Sequence, residues 1–408
     1  MVKCGGSVVN ILLVLVASAL GQLEEGDQCG RNGVCEFITH CPQAMADLKK
    51  GIFPTNICGY QGTKSIICCE NNTPRPIVTE RTPTPHITRS TSPPTTTTVR
   101  QRPNLSNAKA PGDKAKEMCK EYAQFAYEKI PSQTLNLDTT FSSELICPIK
   151  TVPLIVDGTQ ASEREFPHMI HLGYLSGTET EWACGGTLIS TKFILTAAHC
   201  VHGHALGDVK LARGGFTNQT ETKHVQVRNV IQRINHPSYN YQKYNDIALL
   251  RVDRSFDLNT YLRPACLYTQ HYIPYRTSIA SGWGNTQYGL EGGSKELLKV
   301  TLEFFTTAEC NNTYRRSINK ADSDLYMGID EGSMICAGSR VNKSDTCNGD
   351  SGGPLVLVHP DAPDIKCMYD VIGITSFGYY CGLAKNLPSV YTRVSNYVAW
   401  IEQNVWPN

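Results

Sequence analysis

The chain carries little net charge. Its 408 residues include 38 Lys and Arg against 37 Asp and Glu, a formal net charge of +1, with charged residues at only 18%. A polyanion would find no electrostatic footprint here, which removes nucleic-acid binding as a reading. Long apolar runs are almost as scarce. One spans Val8 to Leu20 behind Lys3, with small residues at Ala19 and Gly21. That pattern predicts a secretory leader, too short and wrongly flanked for a membrane span, with a mature chain beginning near Gln22. No second run of bilayer length follows. Although there are 17 cysteines, none stands in C-x-x-C spacing near histidines. A zinc centre is therefore not expected, and no other cofactor is called for.

What is present divides the chain. At this length two or more units are expected. Cys4 departs with the leader at 1–21, and the sixteen remaining cysteines form an even set in a secreted chain, which predicts eight disulfides. Residues 22–70 hold Cys29, Cys35, Cys41, Cys58, Cys68 and the adjacent Cys69. A unit that small needs cross-links to fold, and six cysteines alone permit fifteen pairings. Residues 71–113 are rich in Thr, Pro and Arg, including Pro93-Pro94-Thr95-Thr96-Thr97-Thr98, so they read as an extended tether, open to O-glycosylation. Its basic residues are better explained by a solvated linker than by a polyanion site.

Residues 114–154 change character. Met118, Tyr122, Phe125 and Ala126 fall at helical spacing and predict an amphipathic helix within Lys114 to Ile130, its apolar face laid on the following domain. Residues 155–408 then alternate in short β segments between Gly and Pro turns, such as Gly186 to Thr196 and Asp370 to Ser376, ending in a helix at Tyr397 to Val405. Sequons at Asn71, Asn104, Asn218, Asn311 and Asn342 are glycosylation candidates.

The chemistry centres on Cys347-Asn348-Gly349-Asp350-Ser351-Gly352-Gly353-Pro354. Glycines around a serine let the backbone turn tightly and bring bare N–H groups to a reacting carbonyl. A serine hydroxyl is a weak nucleophile alone and needs a histidine base and a carboxylate to orient it. Both stand upstream, in Leu195-Thr196-Ala197-Ala198-His199-Cys200 and Tyr244-Asn245-Asp246-Ile247-Ala248-Leu249-Leu250. Other histidines have plainer readings: His202 and His204 as loop residues, His168 and His171 as packing or solvent contacts in a strand. Gly214-Gly215 reads as a turn rather than a phosphate cradle.

From Ile155 to the C-terminus the sequence resembles the chymotrypsin-like, trypsin-type serine endopeptidases, with the three motifs in the order His, Asp, Ser. The six-cysteine unit with its adjacent pair resembles the clip domain of arthropod cascade proteases. These resemblances imply a mostly β fold: two packed six-stranded antiparallel barrels with the site between them, a C-terminal helix, and a small disulfide-rich domain in front. They imply Ser351 as nucleophile, His199 as general base, Asp246 as its orienting group, and the N–H groups of Gly349 and Ser351 as the oxyanion hole. Asp345 matches the pocket floor that selects Arg or Lys, and Ser376-Phe377-Gly378 the wall. Ser389 departs from the usual glycine and is expected to narrow the slot. No calcium site is expected, because the Gly214-Gly215 region stands where some relatives place a calcium-binding glutamate.

For the disulfides, the clip likeness implies Cys29–Cys68, Cys35–Cys58 and Cys41–Cys69. The protease likeness implies Cys184–Cys200, Cys310–Cys336, Cys347–Cys381 and Cys147–Cys266, the last holding a cleaved light chain; by elimination Cys119 is assigned to Cys367. In the family, cutting before a pair such as Ile155-Val156 frees an ammonium that folds in to pair with the aspartate beside the nucleophile, here Asp350. The bond to be cut follows Leu154. An enzyme selecting Arg or Lys does not cut there, so an upstream activating protease is implied. The arrangement resembles clip proteases in the middle of insect patterning and immune cascades (Toll signalling or melanisation). That likeness implies a downstream clip-protease zymogen as substrate, a serpin as inhibitor, and an extracellular fluid such as haemolymph or perivitelline fluid as the setting. Two competing readings are an adaptor acting by clip-domain binding, disfavoured because Ser351, His199 and Asp246 are all present, and a digestive trypsin, disfavoured by the clip unit, the linker and Leu154.

Overall fold

In the computed structural model the residues described are 26–29, 33–37, 40–49, 57–61, 64–70, 110–131, 141–149, 158–203, 206–240, 242–285, 293–320, 323–341, 346, 349–358, 365–379 and 385–407. The leader, residues 71–109 of the 71–113 linker, Leu154, Ile155, His204, Asp345, Cys347, Cys381, Asn71, Asn104 and Asn342 lie outside them.

The N-terminal unit is a four-stranded antiparallel sheet in the order β1-β2-β4-β3, made of β1 (Gln28–Cys29), β2 (Gly33–Phe37), β3 (Ile57–Gln61) and β4 (Lys64–Glu70), with helix α1 (Pro42–Lys49). Its buried side chains are few, chiefly Cys29, Cys35, Ile66 and Cys68. The disulfides Cys29–Cys68, Cys35–Cys58 and Cys41–Cys69 therefore hold what the small core does not.

Next come α2 (Asp113–Ala123), a short 3-10 turn, and the hairpin β5 (Tyr127–Pro131) with β6 (Phe141–Leu145). The helix is shorter than its spacing predicts and its buried face is rotated. Ala115, Cys119, Tyr122, Ala123 and Ala126 are buried, while Met118 and Phe125 are only partly so. Residues 127–131 form a strand because β6 supplies them with a backbone partner, an interaction that helical periodicity does not encode. Two of the expected disulfides are exchanged: Cys119 bonds Cys266 and Cys147 bonds Cys367, with Cα separations of 5.0 and 5.4 Å. The cause is placement. Helix α2 packs Cys119, Tyr122 and Ala123 into one cluster with Cys266 and Met368, and the β5–β6 hairpin carries the chain onward before Cys147 is reached.

Gly112, which begins α2, has no side chain to cap the helix. A distant carboxylate does so instead: Glu402 accepts from Gly112 N–H (3.0 and 3.1 Å) and Ala115 N–H (2.8 Å). These are two of the donors a helix start otherwise leaves open. Glu402→Ala is expected to cost about 1 kcal/mol and lower Tm by about 2–4 °C, read by calorimetry, whereas a surface glutamate without this contact would leave Tm unchanged.

The C-terminal domain contains β7 (Thr159–Gln160), β8 (Met169–Ser176), β9 (Glu179–Leu188), β10 (Phe193–Thr196), α3 (Ala198–Val201), β11 (His202–Gly203), β12 (Gly207–Gly214), β13 (Gln226–Asn235) and β14 (Ala248–Val252). It continues with β15 (Cys266–Leu267), β16 (Thr277–Gly282), β17 (Leu298–Phe305), α4 (Thr307–Ile318), β18 (Met334–Gly338), β19 (Pro354–Val358), β20 (Tyr369–Phe377), β21 (Ser389–Arg393) and α5 (Val398–Val405). Strands β12-β13-β14-β10-β9-β8 close through β12–β8, and β20-β19-β16-β17-β18-β21 close through β20–β21. Each ring is a six-stranded antiparallel barrel. Closure pairs every strand of each ring on both sides over part of its length, and the inward residues fill the barrels: Ile194, Leu195, Leu249 and Leu250 in the first, Leu302, Leu355, Ile372 and Tyr391 in the second. Cys184–Cys200 and Cys310–Cys336 brace the domain. Gly214 closes β12 and Gly215 begins the bend after it.

The two histidines here are packing residues, although only His171 lies in β8 and His168 stands in the turn just before it. His168 and His171 are buried, and burial, aided by Arg263 and Arg213 respectively, pushes both imidazoles down to about 3, so they stay neutral. His171 stacks on Trp283. His202 is exposed and pairs with Asp208 at 2.6 Å.

Candidate active site

The first barrel supplies a histidine and an aspartate from the ends of adjacent strands. Strand β10 ends at Thr196, Ala197 stays extended, and the single turn α3 begins, which sets His199 at the barrel rim. Asp246 stands just before β14, the strand paired with β10. His199 Nδ1 lies 2.7 Å from Asp246 Oδ2, and the His199 backbone N–H donates to Asp246 Oδ1 at 2.9 Å. The carboxylate thus holds both the ring and the chain that carries it.

The second barrel completes the support of Asp246. Ser376 Oγ, near the end of β20, donates to Oδ2, and Thr392 Oγ1 of β21 donates to the Asp246 carbonyl at 2.8 Å. Asn245 takes a left-handed backbone, φ 54°, which asparagine tolerates better than most residues. The Tyr397 hydroxyl donates to its Oδ1 at 3.0 Å. Asp246 is only 4% exposed. Burial alone would raise its carboxyl pKa, but the His199 charge and the hydrogen bonds from His199 and Ser376 outweigh that and hold it below the usual carboxylate value.

Ser351 lies on the loop entering β19. Gly349 has φ 100° and Gly352 φ 75°, where a side chain is strained. Space is also short: a Cβ at 349 would lie 2.8 Å from Gly284 Cα, and one at 352 would collide with Thr196 Oγ1. The loop is pinned by Gly185 N–H to the Ser351 carbonyl (2.8 Å), Gly352 N–H to Thr375 O (2.8 Å) and Gly353 N–H to Asp350 O (2.9 Å). Ser351 therefore rests on β9, beside the Cys184–Cys200 bridge of the histidine turn. Its hydroxyl is not hydrogen-bonded to His199, whose Nε2 lies 3.7 Å from Cys200 Sγ; such bonds are often long before substrate binds. Asp350 turns away from Ser351 and accepts from Gly284 N–H at 2.8 Å.

The expected pocket walls meet. Gly378 lies against Ser389 so closely that a Cβ at 378 would strike the Ser389 hydroxyl. Thr346, next to Asp345, is buried with its hydroxyl 3.0 Å from Tyr391 of β21. Of the two described sequons, Asn218 donates to Glu296 at 2.5 Å, and Asn311, within α4, accepts from Ile329 N–H at 2.8 Å. Both side chains are engaged inside the fold. The support of Asp246 by Thr392 and of Asn245 by Tyr397 had no signal in the sequence, because those residues lie more than a hundred positions downstream; Asn245 alone carried a hint, as a residue type suited to positive φ.

A double antiparallel β-barrel with a His–Asp pair and a glycine-bound serine at its cleft is the architecture of the trypsin-like serine endopeptidases, and the chain is such an enzyme. The model of the family described as Trypsin matches residues 155–401. Over 393 residues the chain is 32% identical to Serine protease snk of Drosophila melanogaster, covering 93% of this chain and 79% of that protein. It is 31% identical over 444 residues to CLIP domain-containing serine protease B4 of Anopheles gambiae, covering 98% and 99%. Melanization protease 1 of Drosophila melanogaster is 35% identical over 281 residues, covering 62% of this chain and 65% of that protein. The chain belongs to the trypsin family as a clip-domain serine protease. No helix among the described residues is long and apolar enough to cross a membrane.

Proposed function

We propose that this protein is the secreted zymogen of a cascade protease, activated by cleavage after Leu154 and cutting a downstream clip-protease zymogen after Arg or Lys. In this reading Ser351 attacks the scissile carbonyl, and His199 takes its proton and returns it to the leaving amine. Asp246 holds the imidazole tautomer, and the Gly349 and Ser351 N–H groups receive the oxyanion.

The observation that carries the activation step is a row across three strands. Gln160 of β7 pairs with Leu298 of β17, which pairs with Gly282 of β16, and Gly282 lies against the Asp350 carboxylate. Two strand spacings amount to about 10 Å. The five residue-to-residue steps from Ile155 to Gln160 extend at most about 17 Å, so a freed Ile155 terminus is within reach of Asp350. The base of that segment is fixed by the Glu165–Lys299 ion pair and the Ala161 N–H to Leu297 O bond of 2.8 Å. A buried ammonium is tolerable only with a counter-charge beside it, and Asp350 supplies one. Leucine at 154 supports an activator of different specificity, and the named cascade proteases among the relatives support the setting. The Cys119–Cys266 and Cys147–Cys367 bridges would keep the light chain attached after the cut.

The test is to cleave after Leu154 and profile a peptide library. Cleavage confined to Arg and Lys supports the reading; no gain over the uncut chain overturns it. Full cascade activity in Ser351→Ala would favour the adaptor instead. For the pocket, Ser389→Gly is expected to raise kcat/KM on arginyl peptides about tenfold, the scale of one methylene in a specificity slot. An unchanged value would free Ser389 from a role in the slot.

A further inference from the structure

We propose that Lys243 makes the enzyme prefer an acidic side chain in the few positions just before the cleaved bond. The inference rests on the cleft described above and adds to its specificity. Strand β20 is bonded on one side to β21, with Phe377 opposite Val390. On its other side the last described partner is the serine loop, through Thr375 N–H to Gly353 O at 2.9 Å and Gly352 N–H to Thr375 O at 2.8 Å. Beyond Thr375 no described strand covers that edge, so Ser376, Phe377 and Gly378 offer open backbone groups beside Ser351. An extended peptide adds to such an edge by main-chain hydrogen bonds.

Lys243 overlooks this place. It lies three residues before Asp246, its backbone N–H bonded to Asp324 O at 3.2 Å, and its ammonium stands 5.5 Å from the centre of the Phe377 ring. The ring is itself fixed edge-on by Tyr314 at 5.6 Å. Lys243 is exposed and forms no ion pair with any described residue. The nearest catalytic carboxylate, Asp246, is buried and committed to His199. Beside it the loop carrying Tyr326 and Met327 presents both side chains to solvent, 56% and 61% exposed, on a backbone tied to Tyr244 by Met327 N–H to Tyr244 Oη at 2.8 Å. A peptide on the β20 edge thus meets a cation that has no ion pair among the described residues, set over an aromatic ring with an apolar rim next to it. A carboxylate there gains Coulomb attraction; an arginine or lysine is repelled.

The test uses the full chain cut after Leu154, with peptides that have Arg fixed at the cleaved position and the three preceding positions varied. The readout is the ratio of kcat/KM for acidic over basic residues within each protein. Wild type is expected to favour Asp or Glu about two- to fivefold at one of these positions, the scale of an exposed ion pair, and the ratio should shrink as salt is raised. Lys243→Ala should level it and Lys243→Glu should invert it. A flat, salt-independent profile in wild type, or an acidic preference surviving in Lys243→Glu, overturns the inference. Absence of cleavage at every arginyl peptide would instead overturn the cleft reading, and this one with it.

Discussion

Asp246→Asn is expected to lower kcat on an arginyl amide about 10⁴-fold with a small change in KM. The substitution preserves shape, the His199 backbone N–H still finds an acceptor in the amide oxygen at the Oδ1 position, and the Ser376 hydroxyl, which faced Oδ2, can turn from donor to acceptor. What changes is the group facing His199 Nδ1 at 2.7 Å. An amide N–H there cannot accept, so the imidazole turns to the tautomer that keeps its proton toward Ser351 and cannot receive another. A loss under tenfold, measured by single turnover on the cleaved enzyme, would contradict the assignment. The same residue sets an acid limb. Its carboxyl pKa is held below the usual value in the folded state. Its pairing therefore adds stability that is fully present above the ordinary carboxylate range and is lost as pH falls through the lowered folded value. In an inactive Ser351→Ala background, Tm should fall with pH on that limb more steeply when Asp246 is kept than when it carries the Asp246→Asn substitution.

The second large effect belongs to Asp350. Cleavage after Leu154 is expected to raise amide hydrolysis at least about a hundredfold, the scale of restoring one oxyanion donor, and Asp350→Asn should abolish most of the gain. Asparagine can still accept from Gly284 N–H, the 2.8 Å contact of the aspartate, so a structural role in that loop alone would leave the gain intact. Loss of the gain specifically in the cut enzyme would show that the charge is what the new terminus needs. Equal activity before and after the cut in the unsubstituted chain would remove the zymogen reading.

How far the sequence carried the site depended on distance along the chain. The serine loop was legible because its requirements are local: glycines at 349 and 352 answer a turn that admits no Cβ. The barrels were legible in kind, since short alternating segments between Gly and Pro turns have few other solutions. The helix at 113–123 was only half legible. Its spacing marked an apolar face, but Ala115 and Cys119 are the buried residues while Met118 packs only at the edge of the contact, because the disulfide to Cys266 and the Glu402 cap rotate the helix into place.

By itself the sequence determined the residue types that chemistry requires, the order of the units and the sets of cysteines, because each of these is written in neighbouring positions. Tertiary structure alone decided that Cys119 reaches Cys266 and Cys147 reaches Cys367. It also decided that Ser376 and Thr392 would hold the aspartate from the opposite barrel, that Tyr397 would hold the neighbouring Asn245, and that Lys243 would stand over Phe377. Those are contacts between strands whose pairing depends on closure of two rings. Closure is a property of the whole packed core, and no local run of residues contains it.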